Sequence, residues 1–295
     1  MSTEVWERSA LTLVFSDVHL HANPISGLGA EKIAKKFKKA NGWFMALVSL
    51  PPQHYGIDGL GFESHEKSIK ILLGESEKAR REGVEVSILA GFHPSLIDVY
   101  FKAGWSSSEI VELAEKIIDY IAKLHEEKAV DGIGEVGRQH YVVNPAWIVT
   151  SELILIYAIE VARDNDMLIH LHLEQGGYST VASVKRIAEL TKINVDSLLL
   201  HHVSPSEAHY AEIYECWYTI PAKEKLYRTL LPNKPKRLMT ESDFIDDPKR
   251  PGVSSYPWDI PRELMSLISR GVVDEEYLYR VEVENVSKFY RVKPP

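Results

Sequence analysis

Eight short apolar runs punctuate the chain, near residues 12–18, 43–50, 84–90, 130–135, 167–172, 198–201, 216–219 and 237–240. Their length and spacing predict strands. Between them, apolar positions recur at helical spacing. The stretch 108–118, for instance, carries Ile110, Leu113, Ala114, Ile117 and Ile118 on one face behind a capping serine, Ser108. Strand and helix therefore alternate, and parallel strands require such crossovers. Eight repeats of the unit predict an α/β protein of the (β/α)8 TIM-barrel class, whose site is gathered at the C-terminal face of the strands. After the eighth run, 244–255 is rich in Asp, Pro and Gly and predicts an exposed loop, while 257–270 and 274–290 predict two closing helices. No internal repeat or low-complexity linker divides the sequence, so residues 1–295 are expected to form a single barrel domain.

Composition narrows the function classes. With 295 residues, 45% of them hydrophobic, the chain can bury a large core. The formal net charge is -8, and the densest cationic run, 32–39, reads as a solvated helix face. Non-specific duplex binding is not favoured by that charge, although cations held in a cavity would attract a phosphodiester locally. The single cysteine, Cys216, excludes an intrachain disulfide framework. The first residues lack the basic start and apolar core of a secretory leader, and the apolar run 153–161 is too short to span a bilayer. A cytoplasmic protein with no membrane partner is the expectation.

Candidate chemistry lies at the ends of the apolar runs. The first ends in His19-Leu20-His21, two imidazoles about 7 Å apart on one face of a strand, a spacing that can close on one divalent ion. Alone this is a weak signal, but four more runs end in metal-capable residues: Glu135, His172, His201 and Asp243. A parallel barrel that builds its site at one face requires that placement. Neutral imidazoles and carboxylates suit zinc first, with magnesium, manganese, cobalt, iron or nickel as alternatives. His170 shares the inward face with His172 but lies two residues deeper, which predicts a packed or supporting role. His201 and His202 point oppositely along their strand, and their spacing does not choose between them.

Taken in order, Asp17-Val18-His19-Leu20-His21, Gly91-Phe92-His93-Pro94, Gly134-Glu135-Val136-Gly137, the apolar strand into His172, His201-His202-Val203-Ser204, Glu241-Ser242-Asp243 and Asn285-Val286-Ser287-Lys288-Phe289 resemble the TatD-like metal-dependent hydrolases of the amidohydrolase superfamily. The resemblance spans residues 13 to about 289 and implies a barrel with one or two divalent ions. By it, His19 and His21 hold one metal, Glu135 bridges two, Asp243 completes the inner site, and His172 and His201 serve the second. His201 rather than His202 follows from the Ser204 spacing of the family pattern.

The activity so implied is hydrolysis by an activated water, with Asp243 and Glu135 as catalytic residues. The expected substrate is a phosphodiester, in a small molecule or a nucleic acid, as for a nuclease; the alternative is an amide, ester or lactone. A non-catalytic barrel with a structural ion is disfavoured, because six ligands exceed what a closed site needs. The sequence departs from the family in two places. The usual Leu-Asp after Gly-Glu-Val-Gly is replaced by Arg138-Gln139-His140-Tyr141, and the usual Arg after the fifth-strand histidine by Glu174. Glu174 would repel a phosphate, and Arg138 is expected to replace the lost Arg as an anion clamp, with His93 as a second substrate-binding residue. Asp17 and Glu241 are expected on the inward faces, orienting imidazoles. His54, His65, His125 and His209 are expected to be merely exposed, and Trp217, Tyr218, Tyr256 and Trp258 to pack.

Overall fold

The computed structural model describes residues 13–249 and 255–295. The amino-terminal segment 1–12, read above for a leader, and residues 250–254 of the loop after the eighth strand lie outside the described residues. Eight strands follow the expected order: β1 (Phe15–Leu20), β2 (Gly42–Val48), β3 (Glu85–Ala90), β4 (Gly132–Gly137), β5 (Leu168–His172), β6 (Leu198–Leu200), β7 (Trp217–Pro221) and β8 (Leu238–Glu241). Each pairs in parallel with the next. The connecting helices are α1 (Ala30–Lys39), α2 (Phe62–Arg81), α3 (Ser95–Lys102), α4 (Ser107–Glu126), α5 (Pro145–Asp164), α6 (Tyr178–Thr191), α7 (Pro205–Ile213) and α8 (Glu224–Leu230). The chain ends in α9 (Asp259–Ser269), α10 (Glu275–Tyr279), a π-turn segment (Arg280–Glu284) and α11 (Asn285–Tyr290). The fold is the (β/α)8 barrel that the alternation predicts.

Local differences from expectation have physical causes. The cap of α4 is Ser106, two residues before the predicted Ser108. Glu109 accepts from the Ser106 N–H at 2.8 Å while its own N–H donates to the Ser106 hydroxyl at 3.4 Å, a reciprocal pairing that only the earlier serine can make. The apolar length of α5 exceeds the run 153–161: by length and composition the whole of Pro145–Asp164 could cross a membrane. Ile154, Leu155, Ala158, Ile159 and Ala162 nevertheless bury one face of it against the barrel.

Two apolar layers follow from the alternation of the strands. Ile88, Ile133, Leu171 and Leu200 face outward and pack beneath the helices. Val18, Phe44, Ala46, Leu89, Leu168, Leu199, Trp217 and Met239 fill the interior, where Val283, Val286, Phe289 and Tyr290 of the carboxyl-terminal segment join them. Because Phe44, Leu168 and Trp217 sit near the amino ends of their strands, that segment plugs the mouth opposite the predicted site. The barrel closes between β1 and β8 through Asp243 N–H to the His19 carbonyl at 3.0 Å, His21 N–H to the Phe244 carbonyl at 2.7 Å and a parallel bridge from Leu20 to Phe244.

β1 carries an irregularity: Asp17 pairs with Met45 and Leu20 with Leu47, three steps against two. The extra residue breaks the alternation. Asp17, expected inward beside His19, is therefore turned to the seam, where its carboxylate accepts from the N–H and hydroxyl of Ser242.

A second carboxylate ties the same seam lower down. Glu282 accepts from the N–H and hydroxyl of Ser16 at 2.8 and 3.0 Å and from the Thr240 hydroxyl at 2.6 Å, joining β1 to β8. Burial pushes its carboxyl from the ordinary 4.5 up to about 7. A folded state that keeps this proton after the unfolded chain has lost it must lose stability as pH rises through that window. The expected cost is on the order of 3 kcal/mol at full ionisation. Glu282→Gln should therefore flatten the fall in unfolding free energy between about pH 5 and about pH 8. Urea denaturation at both pH values checks this; an unchanged slope would remove Glu282 as the titrating group.

Candidate metal centre

The carboxyl ends of the strands converge on one carboxylate. Glu135 projects from β4, which two glycines allow to lie very close to its neighbours. A Cβ on Gly91 would sit 2.4 Å from the Glu135 carbonyl oxygen, and one on Gly137, whose φ is 147°, would sit 1.9 Å from that of His172. The Gly134–Glu135 peptide is cis. Glu135 is 3% exposed, and its two oxygens divide the surrounding histidines. Oε1 lies 3.5 Å from His19 Nε2 and 3.3 Å from His21 Nε2. Oε2 lies 2.8 Å from His172 Nδ1, 3.0 Å from His201 Nε2 and 3.7 Å from His93 Nε2. Asp243 completes the group: one of its oxygens lies within 4.8 Å of ring nitrogens of both His19 and His201. The structure thus brings together all six predicted ligands.

The surroundings fix which nitrogen of each imidazole faces Glu135. His21 Nδ1–H donates to the Val48 carbonyl at 2.9 Å, which turns Nε2 toward Glu135, and against the effect of burial that carboxylate holds the imidazolium above its ordinary range. His201 Nδ1 meets Glu241 Oε2 at 3.3 Å, and the Thr219 hydroxyl steadies that oxygen from 2.6 Å. Glu241 therefore orients an imidazole, as its inward position predicted. His19 stacks on His201 with ring centroids 3.8 Å apart. Burial holds His19 down to about 4 and pushes the Asp243 carboxyl up to about 7. Although burial opposes charge on His201 as well, Glu241 and Glu135 outweigh it and hold that imidazolium well above its ordinary range. The cluster draws positive charge inward.

Two buried atoms test whether a cation fits: His19 Nε2, 3.5 Å from Glu135 Oε1, and Glu241 Oε1 have no hydrogen-bond partner among the described residues. A buried nitrogen lone pair beside a carboxylate oxygen is costly without a cation between them. The donors are imidazole nitrogens and carboxylate oxygens, a set suited to zinc or another divalent transition metal. The residues fit such an ion.

The site floors a cavity of about 630 Å³ whose walls include His54, His93, His140, Tyr141, Gln175, His202 and Lys223 beside Leu50, Val203, Leu226 and Ile245. His93 Nδ1 accepts the Ser95 N–H at 3.1 Å, so its proton sits on Nε2, aimed toward Glu135 and the cavity. That makes His93 a hydrogen-bond donor rather than a bare ligand. Its burial depresses its pKa to about 3 and keeps it neutral. Contact with Glu135 and Glu241 puts His201 in the inner group. His202 joins His140 and His172 in an outer trio whose ring nitrogens lie within 4.8 Å of one another.

Several sequence expectations need correction. Arg138 does not line the cavity. Its guanidinium donates to both oxygens of Glu174 at 2.7 and 2.9 Å, to Glu152 at 2.8 Å and to the Ser183 hydroxyl at 2.9 Å. The two departures from the family pattern are thus one ion pair, and neither residue is free to attract or repel a substrate. His54 lines the cavity instead of being merely exposed, and His65 is buried with Nε2 2.8 Å from the Tyr100 hydroxyl. His65 shares the buried face of α2 with Ile69, Leu72 and Ala79, a helical spacing that could have placed it inside, whereas His54, in the short turn Pro52–Tyr55, carries no such signal. His140 and His202 were legible only as parts of a departure and a doublet.

A family model described as TatD related DNase matches residues 16–291, and the chain belongs to that family. It is a metal-dependent hydrolase by class. An uncharacterized protein of Methanocaldococcus jannaschii is 33% identical over 285 residues, covering 95% of this chain and 96% of its own. In structure the chain is similar to a TatD-like protein of Archaeoglobus fulgidus (TM-score 0.65, 18% identity, 94% of this chain and 100% of that one). It is also similar to an organophosphorus hydrolase from Deinococcus radiodurans (TM-score 0.59, 13% identity, 95% and 93%). At those identities the structural likenesses speak for the fold.

Arg138→Ala should act on stability rather than on substrate affinity. Stranding the half-buried Glu174 and Glu152 is expected to cost about 2 kcal/mol of unfolding free energy, discounted for their partial solvation. The Michaelis constant should stay within about twofold of wild type. A large rise in that constant at unchanged stability would return Arg138 to the cavity.

Proposed function

We propose that this protein hydrolyses phosphodiesters, in a nucleic acid or a small molecule, with one or two divalent cations held around Glu135. The observation that carries the reading is the division of that carboxylate: one oxygen toward His19 and His21, the other toward His172 and His201. His19, His21, Glu135 and Asp243 would hold one ion, and Glu135, His172 and His201 the other. When bound, such cations polarise the scissile ester and acidify the attacking water.

The chain's own groups do the rest. Asp243, at the floor of the cavity, accepts the proton of the attacking water and keeps that water aimed. His93 donates its Nε2–H to a substrate or leaving-group oxygen. Lys223 on the rim supplies the cationic contact for an anionic substrate that Arg138, paired to Glu174, does not. The reading sets the reaction in the cytoplasm, consistent with a lone, buried, unpaired Cys216. A second reading, hydrolysis of a lactone or another acyl substrate, draws on the apolar wall of Leu50, Val203, Leu226 and Ile245 and on the scarcity of fixed cations in the cavity.

Metal analysis of the purified protein should find up to two divalent ions per chain, and His19→Ala should lose metal. Asp243→Asn keeps size and coordination while removing the proton acceptor, so turnover should fall by about a hundred- to ten-thousand-fold with metal retained. Wild-type turnover in that variant would move the base to another carboxylate.

A parallel screen of phosphodiester, phosphomonoester, lactone and amide substrates separates the two readings. Lys223→Ala should raise the Michaelis constant for a phosphodiester and leave that for a neutral lactone unchanged. Activity confined to neutral acyl substrates would establish the second reading instead.

A further inference from the structure

His170 is fully buried on β5, two residues below His172, and no part of the reaction described above uses it. A buried imidazole needs partners for both nitrogens, and this one has two. Its Nδ1 lies 3.1 Å from His19 Nδ1. Its Nε2 lies 2.9 Å from the hydroxyl of Tyr290, at the end of α11 in the segment that plugs the opposite mouth.

The protons of this chain can be assigned one at a time. The Tyr290 hydroxyl is also 2.8 Å from the Val18 carbonyl, which can only accept, so the single hydroxyl proton is spent there. The phenolic oxygen must then accept from His170 Nε2–H. A neutral His170 protonated on Nε2 offers a bare Nδ1. His19 must therefore place its own proton on Nδ1 to donate to it. That leaves His19 Nε2 without a proton, and it is one of the buried nitrogens that lack a hydrogen-bond partner, 3.5 Å from Glu135 Oε1. Reversing the chain, with Tyr290 donating to His170 Nε2 and His170 Nδ1–H donating to His19 Nδ1, would move the His19 proton to Nε2 and leave the Val18 carbonyl without the Tyr290 proton that it accepts at 2.8 Å.

We propose that Tyr290 and His170 form a positioning relay that fixes the ring tautomer of His19, so that its Nε2 lone pair faces Glu135 before any cation arrives. His170 and Tyr290 act through His19 and touch neither substrate nor ion. The carboxyl-terminal segment thereby does more than seal the barrel: its last helical residue sets the protonation pattern of a ligand at the far end of β1. Only the final step, from lone pair to bound cation, rests on the function proposed above.

The test reads the tautomer directly. Long-range proton–nitrogen spectra of chelator-treated protein labelled with nitrogen-15 histidine, with His19 assigned through His19→Gln, should show Nδ1 protonated and Nε2 bare. His170→Leu removes the acceptor, and Tyr290→Phe removes the anchor while keeping the ring. In both, His19 should become a mixture of tautomers, and zinc affinity, by competition with a chromophoric chelator, should fall about tenfold. His170→Asn puts an acceptor oxygen where Nδ1 stood and should restore the single tautomer. Thermal midpoints within a few degrees of wild type exclude misfolding as the cause.

A wild-type His19 protonated on Nε2 would overturn the relay. So would a His170→Leu protein with the wild-type tautomer and wild-type zinc affinity. If zinc binds to neither protein but the tautomer responds as described, the relay stands and the proposed function fails.

Discussion

One buried carboxylate organises the working end of this molecule. Glu135 is surrounded by five imidazoles, and among the described residues no lysine or arginine is one of its ion-pair partners. An ionised carboxylate at 3% exposure is sustained only by positive charge or by hydrogen bonds from groups held in place. Everything near it answers that demand. The glycines of β4 and of the β3 end bring its backbone against its neighbours, the histidines come from four other strand ends, and Glu241 and Val48 turn individual rings toward it. The nitrogens facing it supply that charge and those hydrogen bonds, and a cation held among them would take over the same task.

The seam between β1 and β8 is held by a different device with the same logic. β1 and β8 share few ladder bonds, so the seam relies on side chains: Asp17 to Ser242 near the site, and Glu282 to Ser16 and Thr240 below. Both carboxyls are buried, and burial pushes them up to about 8 and about 7. Neutral carboxyls of this kind can be fully hydrogen-bonded at small electrostatic cost, whereas ionised ones could not. The interior thus moves its acids in opposite directions: burial raises Asp17 and Glu282, which join the two strands, whereas the imidazole neighbours of Glu135 hold it well below the usual carboxylate range.

The barrel was legible because its signal is redundant. Eight apolar runs, each bounded by helical periods, leave little freedom in topology, and the ligand residues stand at fixed offsets from the run ends. What was not legible depends on single residues of register or on pairings across the fold. An extra residue in β1 turned Asp17 away from the site, and nothing in a run of apolar and polar letters marks a bulge. Alternation along the strand did not separate His201 from His202; the Ser204 spacing of the family pattern favoured His201, and that is the ring that meets Glu135. Tyr290 lies 120 residues from His170 in sequence, beyond the reach of any periodic pattern.

The Arg138–Glu174 pair shows how a substitution can mislead when read alone. Each residue replaces an expected neighbour of opposite character, and judged singly each predicts a change in how the pocket treats anions. Joined by two hydrogen bonds, and held further by Glu152 and Ser183, they cancel as far as the cavity is concerned. The pair links the loop after β4 to the end of β5, and so fixes the wall from which His140 and His172 face one another, their ring centroids 4.7 Å apart. Charge toward the substrate must then come from the rim, from Lys223 and from the neutral donors His93, His140 and His202, all of which touch the cavity. A pocket built this way offers hydrogen-bond geometry and shape more than fixed positive charge, and two of the histidines that line it, His140 and His202, stand outside the ligand set that the family pattern implies.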